Sequence, residues 1–275
     1  MRNLLSANLY RLRRSRAFWI AVAVMAGVGL FEVAAGYLSA GSQGVPVSLD
    51  SRYLIFALVS GVVLSAFCAV FVGTEHSEGT LRRKIAAGHS RSAVYLASLL
   101  TCAGAGVLVC LGYILPVLAA GIPLLGFFQM DLAAVARFTV CVFVMNAALC
   151  AAFTLVAMLN RSKAASAIIC ISLAYFLLFL GIYLHSRLAE PEMIPAREYV
   201  ENGRILLQEA RPNPGYVQEP WRSVGAVLYA LPGCQAVQLA ARAKDAPWQL
   251  PLVSLLSAAL LTAAGLAAFR RKDLR

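Results

Sequence analysis

Long apolar runs separated by short polar segments dominate the chain, at residues 17–38, 54–72, 93–115, 134–159, 164–184 and 250–269. Each run is about 20 residues long, which matches the roughly 30 Å of hydrocarbon that a helix must cross at 1.5 Å per residue. Inside lipid every backbone N–H and C=O must find its partner within the segment, and a helix does this by itself. The pattern predicts an all-α integral membrane protein, a single transmembrane domain over 1–275 with about six spans. Pro116 and Pro123 interrupt the third run, which stays apolar to Phe128. A kinked or extended helix is expected there.

Polar positions give the frame its direction. Arg2, Arg11, Arg13, Arg14 and Arg16 precede the first run, and Arg82, Arg83, Lys84 and Arg91 separate the second from the third. Arg161 and Lys163 separate the fourth from the fifth, and Arg270, Arg271, Lys272 and Arg275 follow the sixth. The acids on that side are Glu75, Glu78 and Asp273. The alternate short loops hold only Arg52, with Arg137 just inside the fourth run. Cationic loops stay on the cytoplasmic side, so both termini are expected there. Acids and bases balance over 185–249, and span parity alone puts that long segment outside. Tyr37, Tyr53, Tyr183 and Trp248 fall at the expected outer ends, and Trp19 and Tyr95 at inner ends, as interfacial aromatics would.

Composition agrees. Hydrophobic residues make up 60% of the 275 residues and charged ones 13%, too few for the surface of a soluble domain of this size. A net charge of +11 could suggest nucleic acid, but its placement makes it a topology signal and a contact with lipid headgroups. Six of the seven cysteines lie in apolar runs and Cys234 alone is external, so no structural disulfide is expected. A phosphate-cradling GxxxxGK[ST] loop, a GxSxG elbow and an HExxH helix are all absent, and His76, His89 and His185 are scattered. No enzyme, metal site or cofactor is expected in this chain. Glu32, about 22 Å into the first span by helical rise, is the one intramembrane carboxylate of interest. It is either a polar group on a translocation path or a carboxylate that reaches the outer headgroups.

The segment 74–92 reads TEHSEGTLRRKIAAGHSRS. Thr74 can cap a short helix with Glu75 and Glu78 in its first turn, Arg82, Arg83 and Lys84 later, and Gly88 to stop it. Glu78 and Arg82 are spaced as an i,i+4 ion pair, and Leu81 and Ile85 as an apolar ridge. The stretch 75–91 resembles the first cytoplasmic loop of ABC-2 type permeases, where an acid, a Gly-Thr, a short amphipathic helix and a terminal Ser-Arg follow the second span. Three other features are similar to that family: a basic interfacial helix over 2–16 with Leu5, Leu9 and Leu12 on one face, the Leu231-Pro232-Gly233-Cys234-Gln235 stretch, and the ending Phe269–Leu274 with its basic cluster.

The resemblance, strongest to small bacterial permeases of antimicrobial-peptide export and self-immunity, implies several things. The 74–92 loop would couple to a separate ATP-binding subunit through Glu75, Glu78, Gly79, Thr80, Leu81, Arg82, Ile85, Gly88 and Arg91. ATP and Mg would belong to that subunit. A second permease copy, identical or not, would complete the assembly, and an amphipathic peptide or lipid-like substrate would be exported. Residues 224–241, broken at Pro232 and Gly233 and including Gln235, would be a re-entrant pair of short helices or a helix lying on the surface. The rival reading is a non-transporting membrane anchor or sensor that recruits a cytoplasmic partner.

Overall fold

The structure, a computed structural model, describes all residues except 44–47, 202–203, 243–247 and 273–275. Lys244, Asp245, Asp273, Leu274 and Arg275, used above in the charge pattern and the C-terminal likeness, lie outside the described residues. The chain is 80% helical. Helix α1 (Arg2–Arg14) leads into α2 (Arg16–Gln43). The one-turn α3 (Leu49–Tyr53) precedes α4 (Phe56–Ser77), the short α5 (Thr80–Ala86), α6 (Arg91–Leu125), α7 (Leu132–Leu159) and α8 (Lys163–Ala189). The next segment carries two short helices, α9 (Trp221–Tyr229) and α10 (Gln235–Ala240), before α11 (Gln249–Arg271). Among the described residues six helical stretches are long and apolar enough to cross a membrane, and they coincide with the six runs read from the sequence.

Burial ranks the spans. The most apolar windows of the α3–α4 stretch and of α7 are 56% and 61% buried, against 22% for α8 and 17% for α11. Helices α4 and α7 therefore form the axis of the bundle, while α8 and α11 present broad apolar flanks. Helix α2 packs along α6, α11 along α7, and α8 along α4. Where α4, α6 and α7 meet, the Asn146 amide donates to Ser60 Oγ at 3.0 Å and to Cys110 Sγ at 3.2 Å. Removed from water, these groups bond one another across the helices, so the junction fixes the mutual rotation of three helices.

The third span extends rather than breaks. Helix α6 runs 35 residues through Pro116 and Pro123, well beyond the expected 93–115. Two aromatics expected at interfaces are core residues instead: Tyr53 bonds Thr139 Oγ1 at 2.9 Å, and Tyr95 is enclosed against Phe269 and Gly265. Cys234, expected as an external thiol, is buried, and its Sγ donates to the Leu177 carbonyl at 3.2 Å.

Strands occur where none was expected. Arg197–Glu201 (β2) pairs antiparallel with Arg204–Gln208 (β3), and Met193–Ile194 (β1) pairs with Arg211–Pro212 (β4). Arg197 faces Gln208 and Ile194 faces Arg211, so both ladders share one register and form a single hairpin ribbon. It stands at the end of the bundle away from α5.

Candidate functional site

The segment after α4 makes a compact protrusion, but its hinge is not where the sequence suggested. Thr74 does not begin a new helix: α4 continues through it, and its hydroxyl donates back to the Val70 carbonyl at 2.6 Å. The break falls at Gly79, whose φ of 66° is left-handed and suits glycine, and α5 starts at Thr80. Glu75 therefore lies in the last turn of α4, and Glu78 is the residue just past its end. The far end of α5 closes as expected at Gly88, φ 87°. There the His89 and Gly88 amides donate to the Lys84 and Ile85 carbonyls, the paired pattern of a glycine-terminated helix. Ser90 then caps α6 by accepting from the Ala93 amide at 3.2 Å.

What fastens this protrusion is a buried charge. Glu75 is 0% exposed, and its Oε1 receives Lys84 Nζ at 2.6 Å and Arg11 Nη1 at 2.7 Å. Lys84 Nζ also donates to Asn8 Oδ1 at 2.8 Å, and the Thr80 hydroxyl donates to the Glu75 carbonyl at 3.2 Å. The Arg11 guanidinium lies 3.9 Å over the Phe71 ring. Three elements, α1, the end of α4 and α5, thus converge on one carboxylate. The Lys84 hydrogen bond and the Arg11 ion pair offset its burial, and removing either cation would leave part of that charge uncovered.

The residues expected to form one coupling surface separate into two groups. Glu75 and Leu81 are buried and hold α5 down, with Gly79, Thr80, Ile85 and Arg91 partly buried beside them. Glu78, Arg82 and Gly88 are exposed, together with Arg83, Ala86 and Ala87. The expected Glu78–Arg82 ion pair does not form; instead Arg83 donates to the Glu78 carbonyl at 3.0 Å. Arg91 faces the other way: its Nη1 donates to the Arg270 and Lys272 carbonyls at 2.9 and 2.6 Å and caps the end of α11. Lys272 Nζ in turn donates to the Met158 carbonyl at the end of α7. Burial, and next the nearby Arg161, lower the pKa of Lys272.

Helix α1 was expected to show Leu5, Leu9 and Leu12 on one face. Its inward face is Leu4, Asn8 and Leu12, and Leu9 is half exposed. Asn8 and Arg11 were the residues that sequence reasoning missed. Their signal is the i,i+4 spacing of Leu4, Asn8 and Leu12, which places a polar amide inside an apolar stripe.

At the opposite end, α9 and α10 both pack on α8 and are joined through Pro232 and Gly233. Gly233 has φ 97°, and an added Cβ would stand 2.9 Å from Leu177. Gln235 is fully buried: its Nε2 donates to the Ala230 and Leu250 carbonyls at 2.6 and 3.2 Å, and its Oε1 accepts from Ser254 at 2.8 Å. The turn touches Leu177 and Gly181, roughly two to three turns inward from the end of α8. Beside it lies a cavity of about 680 Å³ between α8, α9, α10 and α11. Its walls are apolar at Leu188, Ala226 and Val253, and polar at His185, Tyr229 and Arg222. His185 Nδ1 and the Tyr229 hydroxyl lie 2.6 Å apart, and Arg222 Nη1 is buried without a partner. Burial, then the Cys234 thiol, push the Tyr229 phenol to about 12, so it keeps its proton at neutral pH.

Glu32, the candidate for a translocation path, accepts from Arg52 Nη1 at 2.9 Å. The Tyr113 hydroxyl donates to the Arg52 carbonyl at 2.7 Å. The ion pair ties α2 to α3, and the Tyr113 bond ties α3 to α6.

A family model described as an ABC-2 family transporter protein matches residues 4–181. The match runs from α1 into α8 and contains the whole protrusion. The chain belongs to the ABC-2 transporter family, the membrane-spanning and non-catalytic component of ABC transporters that normally works with an ATP-binding subunit. No curated protein matches the sequence.

Proposed function

We propose that the chain is the permease subunit of an ABC exporter, in a bacterial cytoplasmic membrane with both termini and α5 inside. It moves an amphipathic, peptide or lipid-like substrate with energy from ATP and Mg held by a separate subunit. The observation that carries this reading is the protrusion itself. Its buried Glu75–Lys84–Arg11 clasp makes a stiff lever, and its exposed ridge of Glu78, Arg82, Arg83, Ala86 and Ala87 offers charge and small side chains to a partner. Closure of two ATP-binding subunits has to be passed to the spans through such a rigid contact. A two-fold engine needs two of them, so the permease works as a pair, identical or not. At the other end, the re-entrant α9–α10 pair and the half-apolar cavity beside it suit release of a substrate with one polar and one greasy side.

Site-specific photo-crosslinking in cells tests this. A photoreactive residue at Ala86 is expected to trap a subunit bearing an ATP-binding cassette, and one at Leu207 on the opposite hairpin is not. Labelling of Ala86→Cys by a membrane-impermeant reagent in intact cells would overturn the topology and the coupling role together. In vesicles reconstituted with the trapped subunit, substrate-dependent ATPase stimulation separates a transporter from a membrane anchor or sensor.

A further inference from the structure

Next to the clasp, at the α5 end, an open groove of about 410 Å³ runs between α1, the start of α2, the last turns of α4 and the start of α8. Four cations line it, Arg11, Arg14, Arg16 and Lys163, against one acid, Glu78 at its edge. Ala17 and Val70 give it an apolar side, and Phe71 lies beneath the Arg11 guanidinium.

The arrangement is unfavourable as it stands. Arg16 and Lys163 occupy the first positions of two long helices, where the helix dipole already places positive charge, and neither helix has an acid in its first turn. Cations gathered in one groove repel one another as well. Arg11 spends one nitrogen on Glu75, while its Nε and Nη2 are buried without a partner. Among the described residues Arg16 and Lys163 make no ion pair. A topology signal requires cations near this end of the bundle, but it does not require three different elements to bring them to one hollow. Neutralisation by an anion accounts for the gathering, and the apolar side accounts for what the anion is attached to.

We propose that this groove is a binding site for an anionic phospholipid, with the headgroup phosphate among Arg11, Arg14, Arg16 and Lys163 and the glycerol and upper acyl carbons against Ala17 and Val70. Basic pockets between membrane helices at this level hold anionic headgroups by the same physics. The groove borders the clasp and the ridge proposed for coupling, but the variants below leave both untouched and the test needs no ATPase.

The experiment uses the purified full-length chain in a neutral detergent, titrated with phosphatidylglycerol, phosphatidylcholine or glycerol 3-phosphate. Retained lipid is read by native mass spectrometry and the thermal midpoint is read in parallel. Phosphatidylglycerol is expected to bind and to raise the midpoint, while the zwitterionic lipid and the tail-less phosphate do neither. The variant Arg16→Gln/Lys163→Gln is expected to weaken phosphatidylglycerol binding about tenfold. Both side chains are exposed, so the fold should tolerate the change. Arg2→Gln/Arg271→Gln removes equal charge from exposed positions outside the groove and is expected to leave binding unchanged. Equal weakening by the two double variants would reduce the effect to net charge and overturn the site. Binding of glycerol 3-phosphate as tight as that of the lipid would overturn the lipid assignment.

Discussion

The two ends of this bundle solve the same problem with different chemistry. At one end, α5 is held by an ionised carboxylate shared between Lys84 and Arg11. At the other, α10 is held by the neutral amide of Gln235, bonded to two carbonyls and the Ser254 hydroxyl. Where water is close, a charge cluster can be built, because the Arg11 and Lys84 side chains stay partly exposed while the carboxylate they share is buried. Deeper in, an unneutralised charge is too costly, and neutral hydrogen bonds of modest strength take over. The ionic end should therefore be rigid and intolerant of substitution, and the neutral end softer. The coupling role proposed for α5 calls for the first property, and the exit proposed at the other end calls for the second.

The largest effect is expected at the clasp. Glu75→Gln removes the carboxylate that Lys84 and Arg11 share and leaves two partly buried cations together, which costs about 3 kcal/mol or more by analogy with broken buried ion pairs. Thermal unfolding in detergent should show it as a large fall in midpoint. If Glu75→Gln instead unfolds within a degree of the parent, the clasp does not hold α5, and the contrast between the two ends disappears.

Gln235→Leu is expected to cost less, about 1 to 2 kcal/mol, because interhelical hydrogen bonds in membrane proteins average well under 1 kcal/mol each and leucine recovers some packing. The same unfolding measurement checks it. A loss as large as that of Glu75→Gln would mean that both ends are equally stiff.

This difference also explains what could be read in the sequence. The spans were legible because blocks of about 20 apolar residues have one stable state in lipid. The protrusion was legible as an object, through Gly88, Ser90 and its charge order, but its hinge was not. Glu75 reads as an acid at the start of a helix by local rules, and only the tertiary approach of Arg11 and Lys84 lets α4 carry it buried to its last turn. In the same way, Leu5 and Leu9 look like the inward stripe of α1 until Asn8 is recruited by Lys84. The neutral end gave less away still. Nothing local marks Gln235, Asn146 or Ser60 as junctions, because an amide or hydroxyl in an apolar run has no partner until the helices are packed. The strand pairing was hidden behind the prolines of its segment, which argue against strands by local rules.

The smallest effect on stability, and the sharpest test of function, belongs to the exposed ridge. Arg82 is exposed and takes part in none of the ion pairs among the described residues, so Arg82→Glu should change unfolding by no more than about 0.5 kcal/mol. Its charge should matter only when a partner covers it, since a desolvated cation forced to become an anion meets repulsion where it had attraction. The expected outcome is an intact, normally stable permease that no longer retains its ATP-binding subunit through purification, and whose transport falls in step. Glu78→Arg should behave alike. If both reversals keep subunit association and transport at parent levels, the ridge is not the contact, however firmly the clasp beneath it holds.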